Sequence, residues 1–125
     1  MLFRSLPIAR AEDVSTVAAS TLVKEMSSAH PPLILDVRSP EEYAQGHLPA
    51  ALNIPHTAIE AELTRLEPYR DRNIVVYCKS GRRAGIALEL LKGRGFRKLR
   101  HLEGDYTSWS AEGRPVELSA PTVPH

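Results

Sequence analysis

The chain has 125 residues, 42% of them hydrophobic and 25% charged, and a formal net charge of +1. That length suits one small domain, and the composition argues against an intrinsically disordered chain. The near-neutral balance excludes strong whole-molecule attraction to nucleic acid or an anionic membrane. The single cysteine, Cys78, excludes an internal disulfide, a paired-cysteine redox site and a cysteine-rich zinc site. The five histidines are scattered without metal-ligand spacing, so neither metal nor cofactor is expected. No apolar run is long enough to suggest a membrane span. The first residues carry a positive charge but neither an apolar core nor an A-x-A site, so a secretory signal is not expected. A reducing, cytoplasmic setting is the expectation, since a lone thiol survives there.

Taken in order, Leu6-Pro7-Ile8-Ala9 reads as a short edge strand, where proline is tolerated. From Ala11 the pattern turns helical, with Val14, Val17, Ala18, Thr21, Leu22 and Met26 on one stripe and His30-Pro31-Pro32 as its stop. Leu33-Ile34-Leu35 is a continuous apolar run of the kind a buried parallel strand shows. Ser39-Pro40-Glu41-Glu42 is a capping box with proline at the first helical position, and Gly46 closes that short helix. Ala51 to Ile54 predicts a strand ended by Pro55. Thr57-x-x-Glu60 predicts a second capping box, with Ile59, Leu63 and Leu66 on one helical face.

Asn73-Ile74-Val75-Val76-Tyr77 is the strongest strand signal, apolar on both faces and hence central. Cys78 follows it in a short, basic, glycine-containing loop. A helix then begins, with Ala84, Ala87, Leu88 and Leu91 as its stripe and Gly93 and Gly95 at its end. A last strand near Leu99 and a short helix around Gly104 to Trp109 complete the pattern, broken at Gly113-Arg114-Pro115. Residues 1–118 are expected to form a single domain, and residues 119–125 a loose tail. Strands alternating with helices predict an α/β fold, a mostly parallel sheet of about five strands with helices on both faces. Ligands in such sheets bind beyond the carboxyl ends of the strands, where the Cys78 loop falls.

An ordinary thiol is mostly protonated at neutral pH. A helix N-terminus, convergent loop amides around Gly81 and the cations Lys79, Arg82 and Arg83 all favour the thiolate here, and Ser80 adds a hydroxyl donor. The same cations could pair with a sulfate-like or sulfonate-like anion. A packing cysteine has no use for this environment, so Cys78 is read as a nucleophile.

The Cys78-x-x-Gly81-x-Arg83 loop resembles the active-site loop of single-domain rhodaneses, a sulfurtransferase family. The run Leu35-Asp36-Val37-Arg38-Ser39-Pro40-Glu41-Glu42-Tyr43, continuing through Gly46-His47-Leu48-Pro49-Ala50-Ala51 to Asn53-Ile54-Pro55, is similar to that family's N-terminal signature. The resemblance covers about Leu6 to Glu117 and implies the rhodanese-like fold. It also implies a double displacement, in which Cys78 takes a sulfane sulfur from a donor such as thiosulfate, becomes a persulfide, and passes the sulfur to cyanide or a thiol. On that basis Cys78 is the catalytic nucleophile. The loop Lys79, Ser80, Gly81, Arg82, Arg83 and Ala84 cradles the persulfide, with the three cations as anion contacts. The implied partners are a small sulfur donor, a thiol or cyanide acceptor and, in an alternative reading, a sulfur-accepting protein.

The chain departs from the family at Gly104-Asp105, where a second glycine is usual, and a carboxylate at the pocket rim is expected to disfavour anionic donors. Dual-specificity phosphatases and arsenate reductases of related fold are the rival. They need a C-x5-R spacing, and Ala84 stands at that arginine position.

Several other residues have two readings. Arg38 either supports donor binding or pairs with Glu42 at i,i+4, while Asp36 braces loop amides. His47 reads as a structural turn rather than a base, and Tyr43 and Trp109 as packing residues. The basic run Arg94, Arg97, Lys98 and Arg100 reads as a solvated face.

Overall fold

The computed structural model describes residues 14–119. Five strands form one sheet: β1 (Ser15–Val17), β2 (Leu33–Asp36), β3 (Leu52–Asn53), β4 (Ile74–Tyr77) and β5 (Leu99–Leu102). Their order is β1-β5-β4-β2-β3, and every pairing is parallel. The helices are α1 (Ala19–Met26), α2 (Pro40–Ala44), α3 (Leu63–Leu66), α4 (Arg82–Gly93) and α5 (Asp105–Ala111), with short 3-10 turns around α3.

Strand β4 is central and fully buried, as its unbroken apolar sequence requires. Its side chains alternate between two cores. Ile74, Val76 and Cys78 join Leu35, Leu66 and the α4 residues Ala84, Ala87, Leu88 and Leu91 on one face. Val75 and Tyr77 join Val17, Leu22, Leu102 and Trp109 on the other. Helices therefore cover both faces, and the α/β, mostly parallel arrangement read from the sequence is the one found.

The α2 capping box also forms: the Glu42 N–H donates to Ser39 Oγ at 3.2 Å, and Ser39 N–H donates to Glu42 Oε1 at 3.0 Å. Two local expectations give way. The first helix begins at Ala19, and Ser15–Val17 pairs with Arg100–Leu102 as an edge strand instead. The apolar stripe is real from Ala18 onward, but the β-branched Thr16 and Val17 find a better partner in the open edge of β5. The second capping box does not form. Pro55 precedes a 3-10 turn at His56–Ala58 without a side-chain cap, and only Leu63–Leu66 is α-helical before Pro68. Ile59 and Leu66 still reach the core, so burial held where helix geometry did not. The strand expected over residues 6–9, and the tail from residue 120, lie outside the described residues.

Among the described residues no helix is long and apolar enough to cross a membrane.

Candidate active site

Cys78 lies immediately beyond the carboxyl end of the central strand and is 1% exposed. Its side chain points toward the α4 face, because the β4 alternation continues into it. Gly81 bends the chain with φ +120° and ψ −23°, a conformation that side-chain-bearing residues rarely adopt, and caps α4. This bend brings the Gly81 N–H to within 3.0 Å of Cys78 Sγ. The N–H groups of Arg82, Arg83 and Ala84 form the first turn of α4 and find no acceptor among the described residues. Together with the Gly81 amide they cluster N–H groups at the start of a twelve-residue helix, an arrangement that favours negative charge.

The start of α5 holds the loop from the side. Tyr106 N–H donates to Cys78 O at 3.0 Å, and Thr107 donates to Lys79 O through its N–H and its hydroxyl. The Cys78 N–H donates to Asp105 Oδ1 at 3.0 Å. Asp105 is 3% exposed, so its carboxylate lies under the loop and not at the pocket rim expected from the sequence. His101 Nε2 lies 2.9 Å from the same Oδ1. The sequence drew attention to Asp105 but not to His101, because the two meet only when β5 and α5 pack against the loop.

The cations divide into two groups. Lys79 and Arg82 are exposed and make no ion pair with a described residue. Arg83 is instead engaged by Glu42 in a bidentate pair, at 2.7 and 3.0 Å. That hydrogen bonding holds the Glu42 carboxyl down at about 2 and raises Arg83 in turn. The expected Arg38–Glu42 pair is therefore not present. Ser39 breaks the helix register between the two residues by serving as the N-cap of α2, so Arg38 turns inward to Asp36.

Asp36 is fully buried and accepts from the Arg38 backbone N–H, from Arg38 Nε and Nη2, and from the Tyr77 hydroxyl at 2.6 Å. Burial first, and the Asp36 charge second, push the Tyr77 phenol well above its ordinary range. Arg38 also donates to Gly46 O and lies over the Tyr106 ring at 4.2 Å. It thus braces the site wall, and with Glu42, Gln45, Gly46, Lys79 and Tyr106 it lines a cavity of about 320 Å³ beside the loop.

His47, Trp109, Arg94 and Arg100 are each engaged by neighbours within the fold. His47 is buried, stacks on Tyr43 and bridges to Glu117 through backbone hydrogen bonds. Trp109 fills the second core and donates to Pro115 O. In the basic run, Arg94 pairs with Glu60 and Arg100 with Glu25. No cluster of metal-ligating side chains occurs among the described residues.

A parallel α/β sheet with a buried cysteine beside a cluster of backbone N–H groups, just beyond its central strand, defines a class of thiol-bearing α/β domains. Comparison with known proteins narrows that class. Residues 19–112 match the model of the rhodanese-like domain, and the chain belongs to that family. A sulfurtransferase of Allochromatium vinosum is 30% identical over 103 residues, covering 82% of this chain and 94% of that protein. The crystal structure of a rhodanese-related protein from Thermoplasma volcanium superposes with a TM-score of 0.74 at 31% identity, covering 84% of this chain and 99% of that one. A tRNA uridine(34) hydroxylase of Cronobacter sakazakii is 30% identical over 116 residues, covering 90% of this chain but only 33% of that protein. The family match and the sulfurtransferase relative support transfer of sulfur-containing groups as the general chemistry.

Proposed function

We propose that the chain is a sulfurtransferase that carries sulfane sulfur on Cys78, from a donor such as thiosulfate to cyanide or a thiol. The observation that carries this reading is the Gly81 N–H aimed at Sγ from 3.0 Å, at the head of a helix whose first amides lack acceptors. Such a nest stabilises negative charge on the cysteine sulfur and on a second sulfur attached to it. The thiolate attacks the outer sulfur of the donor. The donor S–S bond breaks with its electron pair leaving on sulfite, and Cys78 keeps a persulfide anion. A thiophilic acceptor then attacks the terminal sulfur and releases the thiolate.

Gly81 to Ala84 would hold the persulfide, while Lys79 and Arg82 would draw in the anionic donor. Asp36 and Arg38 would support the wall. The chain has no second cysteine, so the sulfur must leave to an external acceptor. A phosphatase reading is disfavoured because Ala84 is buried where an arginine would be needed and Arg83 is occupied by Glu42.

Incubation with thiosulfate should make the intact protein heavier by about 32 Da, one sulfur atom, and cyanide should remove it. Cys78→Ser should take up nothing. Absence of the adduct with thiosulfate and with every other sulfane donor sinks the reading.

A further inference from the structure

Asp105 is an unexpected residue to find beneath this loop. It opens α5 with φ +51°, a left-handed conformation that costs a non-glycine residue about 1 kcal/mol. Its carboxylate is nearly inaccessible, and burying a charge is costly as well. The hydrogen bond to the Cys78 amide does not explain the choice, because the side-chain carbonyl of a neutral asparagine could accept it equally. What distinguishes aspartate is its charge.

The charge lies against both ends of the loop. Oδ1 holds the Cys78 N–H, and Oδ2 lies 3.2 Å from the point where a Cβ on Gly81 would sit. Arg83 is bound to Glu42 and Arg38 to Asp36, while Lys79 and Arg82, which pair with no described residue, are exposed, where solvent and salt screen them. Among the described residues only the His101 imidazole bonds to the carboxylate from another side chain.

We propose that Asp105 is a donor-selecting residue, whose buried carboxylate disfavours doubly charged sulfane donors relative to singly charged ones such as thiosulfonates. This rests on the sulfur-transfer reading of Cys78. With either donor the thiolate attacks the outer sulfur and the donor S–S or S–SO2R bond breaks. The electron pair leaves on sulfite from thiosulfate, or on a sulfinate from a thiosulfonate. The chemistry at Cys78 is the same, and the donors differ by one charge approaching the same field.

The test compares thiosulfate with methanethiosulfonate on wild type, Asp105→Asn and Asp105→Gly. Asn keeps an acceptor for the Cys78 amide and removes the charge, whereas Gly removes both and relieves the backbone. The ratio of kcat/KM for thiosulfate to that for methanethiosulfonate should rise roughly fivefold or more in both variants. A purely structural role would lower both donors together and leave the ratio fixed. Alkylation of the single cysteine supplies a readout without turnover: the iodoacetate-to-iodoacetamide rate ratio should rise in the same variants. Both ratios unchanged, with sulfur loading of the wild type intact, overturn the inference alone. Failure of both donors to load wild-type Cys78 overturns the sulfur-transfer reading and this inference with it.

Discussion

Glu42→Gln isolates the ion pair that ties the first turn of α4, and with it the Cys78 loop, to α2. The glutamine carbonyl can still accept from Ser39 N–H, so the capping box survives and only the charge opposite Arg83 is lost. The Arg83 hydrogen bond holds the Glu42 carboxyl at about 2 against an ordinary 4.5. At about 1.4 kcal/mol per pH unit this gap sets an upper limit of about 3.5 kcal/mol. The two side chains are 26% and 31% exposed, so solvent screening reduces the expected contribution to about 1 kcal/mol. The folded value is depressed, so the stabilisation is complete above pH 4.5 and is lost as pH falls toward 2. Urea titrations of wild type and variant should differ by about 1 kcal/mol at pH 7, equivalent to a few degrees in Tm, and by less than half of that at pH 3. An equal difference at both pH values, or none at neutral pH, would refute the reasoning.

Gly81→Ala forces a Cβ into a φ of +120° and to 3.2 Å from Asp105 Oδ2. The expected loss is about 2–3 kcal/mol in urea denaturation, with reduced sulfur loading by intact mass; unchanged stability counts against the bend. Tyr77→Phe strips the Leu48 amide of its acceptor and Asp36 of a donor, and should cost about 2–4 kcal/mol. Because the Tyr77 phenol is held above its ordinary range, its share of stability is present below about pH 10 and fades above it. In an absorbance titration Tyr77 should ionise last of the four tyrosines and only with unfolding, and joint titration in the folded state would contradict this. Arg38→Ala leaves the Asp36 carboxylate buried without its cation and should cost about 3–5 kcal/mol by chemical denaturation, whereas a loss below about 1 kcal/mol would show the pair to be dispensable.

The parallel sheet, the central place of Ile74–Tyr77 and the position of Cys78 beyond it were legible in the sequence. Each rests on signals within a few residues: an apolar run, a glycine, a helical stripe and the Ser39–Glu42 capping box. Burial polarity is local information in the same sense, which is why Ile59 and Leu66 reached the core even though their predicted helix broke into turns.

What the sequence could not decide were pairings between residues far apart in the chain. Val17 fit a helical stripe until the open edge of β5 offered residues 15–17 a ladder. Arg83 read as an anion contact until folding set Glu42, 41 residues earlier, against it. Asp105 read as a rim carboxylate until α5 docked it beneath the loop, beside His101. A short segment determines its own apolar period and its own turn. Which charge meets which, and whether a carboxylate faces water or the Cys78 amide, depends on the packing of distant elements. The sequence alone was thus enough to place Cys78 beyond the central strand, while the electrostatics around it came only from the tertiary structure.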